Sequence, residues 1–104
     1  EHQGIAFMIA DMATKVKAAR ELVYDAAVTK DNGGNSTLAS SMAKYYASEI
    51  CNEVAAKSLQ IHGGYGFVRG FKIERLYRDC RVFTIYEGTS QIQQMVIAGQ
   101  IVGK

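Results

Sequence analysis

Residues 5–30 read IAFMIADMATKVKAARELVYDAAVTK, with an apolar side chain at every third or fourth position. At about 3.6 residues per turn, such side chains share one face of an α-helix, so the spacing predicts a long amphipathic helix that ends near Lys30. The predicted stripe comprises Ile5, Ile9, Met12, Val16, Ala19, Val23 and Ala26.

The following residues, 31–37, read DNGGNST and predict a turn, because Gly, Asn and Ser favour turns. Ser36 or Thr37 is expected to cap the next helix. That second helix is predicted from about Leu38 to His62, with Gly63 as its C-terminal cap.

A third helix is predicted from Lys72 to Tyr86, and Gly88 interrupts the pattern. Glu74 and Arg78, four residues apart, form a favourable pair along it.

A fourth helix is predicted from Ser90 to about Val102, because Ser90 and Gln93 match the capping-box pattern. The predicted fold is all-α, an antiparallel helical bundle of about four helices, in a single domain over residues 1–104.

The composition of the 104-residue chain excludes several classes of protein. Proline is absent and the ten glycines are clustered, so long intervals carry no helix breaker. A net charge of +2 without a polybasic tract argues against nucleic-acid binding, and no apolar run reaches the ~20 residues of a membrane span. No signal peptide is recognisable, so we expect a soluble protein that is not secreted.

The cysteines and histidines do not predict a metal site. Cys51 and Cys80 lack metal-ligand spacing, and His2 and His62 lie far apart in the sequence. We expect both cysteines to be free and buried.

The chain does not begin with methionine, and Glu1 and His2 lead almost directly into a helical pattern, which suggests a fragment or processed piece. Ile97 and Ile101 lie away from the main stripe of the last helix. Uncovered apolar surface of this kind predicts a larger parent protein or an oligomer, with ordinary scattered surface residues as the alternative.

Residues 60–66 read QIHGGYG and place bare glycine backbone after a helix, where a cofactor could approach closely. The dinucleotide fingerprint is excluded, since it needs a third glycine where Arg69 stands and a preceding strand. By itself, this pattern more often marks a plain helix cap.

Residues 86–90, YEGTS, place the Glu87 carboxylate on a turn just before a helix N-terminus. A carboxylate beside apolar and aromatic groups suits abstraction of a carbon-bound proton. On spacing alone, the favoured interpretation is that Glu87 merely interacts with the helix dipole.

The arginines at 75, 78 and 81 form a ridge at helical spacing. The ridge could bind an anion, but a salt-bridged face involving Glu74 and Asp79 is favoured.

Taken together and in their order along the chain, the segments at residues 60–66, 75–81 and 86–90 resemble the C-terminal helical domain of acyl-CoA dehydrogenases. The resemblance covers essentially the whole chain, and the combination of QIHGGYGF with RDCRVFTIYEGTSQIQ carries it. It implies an FAD-dependent enzyme that introduces a double bond between the α and β carbons of an acyl-CoA thioester.

The same resemblance implies the roles of individual residues. Glu87 is the expected catalytic base, and Tyr86 and Gly88 are expected beside the substrate thioester. Flavin contacts are implied for Gln60, Gly63, Gly64, Thr89 and Gln91, the first three often reaching the cofactor of a neighbouring subunit.

The resemblance further implies an electron-transfer flavoprotein as redox partner, a homo-oligomer, and a bacterial cytoplasm or mitochondrial matrix as the location. Because two further domains of the family hold most cofactor and substrate contacts, this chain alone is expected to be inactive. The alternative is a non-enzymatic helical interaction module that retains the family fold.

Overall fold

The computed structural model describes residues 3–63, 70 and 72–103. Four α-helices occupy this part of the chain, and a short 3-10 helix, Arg81–Thr84, continues the third. The α-helices are α1 (Gln3–Asp31), α2 (Thr37–His62), α3 (Lys72–Cys80) and α4 (Ser90–Val102). The prediction of an all-α fold with about four helices is confirmed.

Helix α2 is the centre of the fold. The other three helices and the 3-10 helix pack mainly on α2 rather than on one another. Its small side chains allow this close approach: Ser41, Ala43, Ser48 and Ala55 are all buried. The arrangement is therefore an open bundle around one helix.

Side-chain contacts show that α1 and α2 run antiparallel. Lys15 bonds to Glu53 at 2.5 Å, and one turn earlier Asp11 pairs with Lys57 at 3.4 Å. The hydrogen bond from Lys15 holds the pKa of the Glu53 carboxyl below its ordinary value, and Glu53 in turn raises the pKa of Lys15. The same lysine lowers the pKa of Asp11. This four-residue group, the α1–α2 ion cluster, sets the register of the two helices.

The apolar core is thin, because each outer helix has a single main packing partner. Among the described residues no large side chain is fully buried, and the buried apolar residues are Met12, Ala19, Ala43, Ile50, Ala55 and Cys80. On the predicted stripe of α1, Ile9 and Val23 remain about half exposed, at 52% and 47%. Phe7, Tyr24, Met95 and Ile101 are each at least 60% exposed.

Three details differ from the sequence expectations. The third α-helix ends at Cys80 instead of continuing to Tyr86, because the chain tightens into the 3-10 helix. Ser36 occupies the N-cap position of α2 but makes no side-chain cap bond; the Asn35 side chain instead accepts from the Thr37 N–H at 3.0 Å. Cys51 is exposed, whereas Cys80 is buried as expected.

Other expectations agree with the structure. Arg78 bonds to Glu74 at 3.2 Å, as the spacing predicts. Burial raises the pKa of the Cys80 thiol, and both cysteines are free. None of the helices in the described residues is long and apolar enough to cross a membrane.

Candidate functional site

The turn between the 3-10 helix and α4 contains the most unusual backbone in the described part of the chain. Glu87 has a φ of 55°, a left-handed conformation that no other described non-glycine residue adopts, and Gly88 follows with a φ of 94°. Non-glycine residues incur a steric penalty in this region and persist there only when their surroundings hold them. We refer to residues 83–90 as the Glu87 turn.

Lys44 of α2 holds the Glu87 turn at both ends. Its Nζ donates to the Phe83 carbonyl at 2.6 Å and to the Gly88 carbonyl at 2.9 Å. Bonds from an ammonium group to carbonyl oxygens are charge-assisted and stronger than neutral ones. Lys44 thus satisfies two main-chain acceptors that the turn's own amides do not reach.

The start of α4 gives the turn a second anchor. Thr89 is the N-cap residue, and its hydroxyl accepts from the Ile92 N–H at 3.2 Å. Ser90, predicted as the cap, is the first helical residue instead, and its hydroxyl donates to the Glu49 carboxylate at 2.5 Å. The Gln93 side chain lies over the turn, with its amide nitrogen 3.4 Å from the Glu87 carbonyl.

An open groove of about 730 Å³ lies between α1, α2 and the Glu87 turn. Glu87, Tyr86 and Lys44 line it together with apolar side chains such as Val23 and Phe83. The rings of Tyr86 and Phe83 are stacked, with centroids 6.0 Å apart. The Glu87 carboxylate therefore lies where it could contact an apolar molecule bound in the groove.

Among the residues that the structure describes, the Glu87 carboxylate has no cationic neighbour. No lysine or arginine of the described ranges lies within the 4.0 Å that defines an ion pair with it. Its side chain is exposed, and Lys44 bonds to main-chain oxygens instead. Within the described part of the chain, the carboxylate is therefore left open to the groove.

A second cavity, of about 510 Å³, lies on the other side of the turn. Thr89 and Gln91 line it, as do Glu49, Glu53 and Arg81. The N–H groups of Ser90 and Gln91, in the first turn of α4, have no acceptor within the helix. These features suit a polar ligand.

Gln60 and Gly63, two of the remaining predicted flavin residues, lie outside this cavity. Gln60 is exposed near the end of α2, and Gly63 caps that helix with a φ of 63° and open space where a Cβ would stand. Neither residue lines the cavity, whose last lining residue on α2 is Ala56, about one turn before Gln60. Gly64 falls outside the described residues.

Lys44 and Gln93 are site residues that the sequence patterns do not predict. Lys44 acts on carbonyls 39 and 44 residues away, and local spacing carries no signal for such contacts. The capping-box pattern gives Gln93 a role only at the start of α4.

Together the fold and the site define an all-α domain that presents a carboxylate on a strained turn between two ligand-sized cavities. A family model described as "Acyl-CoA dehydrogenase, C-terminal domain" matches residues 1–102. The chain belongs to the acyl-CoA dehydrogenase family and corresponds to its C-terminal domain.

Relatives and solved structures agree with this assignment. The chain is 66% identical over its whole length to a caffeyl-CoA reductase-Etf complex subunit of Acetobacterium woodii, covering 27% of it. It is 46% identical to an acyl-CoA dehydrogenase of Bacillus subtilis, over 98% of this chain and 27% of the relative. The structure of butyryl-CoA dehydrogenase from Megasphaera elsdenii superimposes with a TM-score of 0.95 at 39% identity, over 98% of this chain and 27% of that one.

The chain thus spans about a quarter of the length of the relatives it matches. The family comprises flavin-dependent acyl-CoA dehydrogenases and related reductases, which are oxidoreductases.

Proposed function

We propose that this chain is the C-terminal part of an FAD-dependent enzyme that dehydrogenates an acyl-CoA thioester between its α and β carbons, with Glu87 as the base. The observation that supports this most directly is the position of Glu87. It stands on a left-handed turn at an open groove, with no ion-pair partner among the described residues.

The chemistry requires the α proton to leave as a proton and the β hydrogen to leave with its electron pair. The Glu87 carboxylate takes the α proton, so one C–H bond breaks as one O–H bond forms. Donors around Glu87 and Gly88 polarise the thioester carbonyl and so acidify the α carbon. The stacked Tyr86 and Phe83 rings form an apolar wall beside the reacting carbons. When bound, FAD supplies the acceptor for the β hydride.

Two groups of residues are proposed to hold FAD. Thr89 and Gln91 contact it from the start of α4, where free amides and a polar cavity suit its polar edges. Gln60, Gly63 and Gly64 contact the adenosine and pyrophosphate part of a second FAD, bound to a neighbouring subunit. The position of Gln60 and Gly63 outside the cavity lined by Thr89 and Gln91 is compatible with this division of the two groups between two cofactors.

The same site also supports the reverse reaction, which reduces an enoyl-CoA. The observation that favours this second candidate is the 66% identity to a caffeyl-CoA reductase subunit. In that direction Glu87 starts protonated and donates its proton to the α carbon. The name of that relative includes an Etf complex, which supports an electron-transfer flavoprotein as the redox partner of this protein.

The third candidate is a non-enzymatic helical oligomerisation module. The exposed apolar surfaces of α1 and α4 are compatible with it. The intact YEGT turn favours the enzyme, because an interaction module gains nothing from a carboxylate held in a strained conformation.

Substitution of the base in the intact protein tests the proposal. Glu87→Gln is expected to lower kcat by about 10²-fold or more, in both reaction directions, while bound flavin is retained. Glu21→Gln, on the exposed side of α1, is the matched control and should leave kcat unchanged. Full activity of Glu87→Gln would rule out Glu87 as the base, and loss of flavin would assign it a structural role.

A further inference from the structure

We propose that Lys44 is a positioning residue for Glu87. By bonding to the carbonyls at both ends of the Glu87 turn, it keeps the Glu87 backbone left-handed and its carboxylate at the groove. This inference rests on the function proposed for Glu87.

The contacts of Lys44 are directed at the main chain. Its Nζ lies 2.6 Å from the Phe83 oxygen and 2.9 Å from the Gly88 oxygen, four residues before Glu87 and one residue after it. An ammonium group has three donors, and these two bonds use two of them. Because none of its bonds is to the Glu87 carboxylate, the lysine orients the base without neutralising it.

The main chain of Lys44 lies in a well-packed part of the fold. It lies in the central helix α2 and is half-buried, and its own carbonyl accepts a bond from the Ser48 hydroxyl at 2.5 Å. The side chain therefore connects the best-packed element of the fold to its most strained backbone.

Without this connection, the weak contact of Gln93 with the Glu87 carbonyl remains, and the Thr89 cap and the Ser90–Glu49 bond hold the turn only at its α4 end. Glu87 can then relax toward ordinary backbone angles, which moves its carboxylate. A displacement of about 1 Å in a reacting group can lower a rate by about 100-fold. Removal of Lys44 should therefore slow proton transfer more than it weakens substrate binding.

The test compares Lys44→Met, Lys44→Gln and Lys44→Arg in the intact flavin-containing protein, with Lys17→Met as the matched control on the exposed side of α1. The measurements are kcat, KM, flavin content, melting temperature and the rate at which the α proton of butyryl-CoA exchanges with D2O. We expect Lys44→Met to lower kcat and α-proton exchange in parallel, by about 10- to 100-fold, with KM and flavin content within about threefold.

Lys44→Gln is neutral and shorter, so we expect a loss of similar size, whereas Lys44→Arg keeps charged donors and should recover most of the rate. A folded Lys44→Met or Lys44→Gln protein with normal kcat and exchange overturns the proposal. If neither neutral variant folds with bound flavin, Lys44 serves folding and the positioning role is rejected.

The test of Lys44 and the test of Glu87 can fail independently of each other. If Glu87→Gln is inactive and Lys44→Met is fully active, Glu87 remains the base and only the role of Lys44 fails. If Glu87→Gln is active, the proposed function fails first.

Discussion

The Ser90 hydroxyl donates a hydrogen bond of 2.5 Å to the carboxylate of Glu49, joining the first turn of α4 to the middle of α2. Ser90 is almost fully buried, at 4% exposure, so little water competes for this bond. A second contact, from Gln94 to the Tyr45 hydroxyl at 3.1 Å, lies one turn further along the antiparallel pair. The Glu87 turn is therefore held at its end by a defined helix–helix register.

Replacing Ser90 with Ala should destabilise the isolated chain by about 1–3 kcal/mol, because a charge-assisted bond at a buried position is lost. Thermal unfolding followed by circular dichroism measures the change. Ser40→Ala, at an exposed position of α2, is the control and should be close to neutral. Equal stability of Ser90→Ala and the parent chain would contradict the structural importance of this bond.

Replacing Gly88 with Ala should be more harmful than the same change at another left-handed glycine. At Gly33, with a φ of 78°, an added Cβ would meet open space, whereas a Cβ at Gly88 would lie 2.6 Å from the Gln93 side-chain nitrogen. Both variants incur a backbone cost of about 1 kcal/mol, and Gly88→Ala also displaces Gln93 from the turn. Of these two variants, we expect only Gly88→Ala to lower kcat of the intact protein. Matching kinetics for the two variants would count against this view of the turn.

The α1–α2 ion cluster should make stability depend on pH. The folded-state pKa values of Glu53 and Asp11 are lowered, so their contribution is present above the ordinary carboxyl range and is lost as the pH falls through the folded values. The pKa of Lys15 is raised, so its contribution is complete below its ordinary value of 10.5 and is lost at higher pH. The cluster should therefore stabilise the chain most between about pH 5 and pH 10.

A double-mutant cycle of Lys15→Met and Glu53→Gln measures this coupling as changes in melting temperature. Each single variant should melt earlier than the parent at neutral pH, and the coupling should shrink in acid as the pH falls through the lowered folded-state pKa of Glu53. Lys17→Met is the matched control. Coupling that persists unchanged in acid would exclude the ion cluster as its source.

The isolated chain should self-associate and should bind FAD weakly or not at all. Phe7, Tyr24, Met95 and Ile101 expose large apolar surfaces, which associate in water. The chain spans about a quarter of the length of its relatives, and Gln60 and Gly63 lie outside the cavity lined by Thr89 and Gln91, so we expect one chain to hold a flavin poorly. Sedimentation and flavin absorbance check both points. A monomer at high concentration would refute the first, and a yellow protein that turns over butyryl-CoA would refute the second.

Much of this fold could be predicted from the sequence, because helices depend on local patterns. The apolar period of residues 5–30, the DNGGNST turn and the Glu74–Arg78 spacing indicated α1, its end and an ion pair that the structure contains. The positions predicted for Glu87, Gly88 and Thr89 between two helices also agree with the structure. Their catalytic and cofactor roles remain proposals.

Local patterns were less informative where two structures satisfy the same spacing. Ser90 and Gln93 fit a capping box, but Thr89 caps α4 and frees Ser90 to bond to Glu49, a choice that depends on the neighbouring helix. Cys51 fits an apolar pattern, yet it is exposed because the outer helices leave that part of α2 uncovered.

By itself, the sequence determined that the chain is all-α, where its helices begin and end to within a few residues, and which family it resembles. These properties depend on spacing and on short motifs. Only the tertiary structure decided that α2 is the centre, that Lys44 spans the Glu87 turn, and that Gln60 and Gly63 lie outside the cavity lined by Thr89 and Gln91. Those facts join residues that are distant in sequence, and their energies depend on contacts that form only when the helices pack.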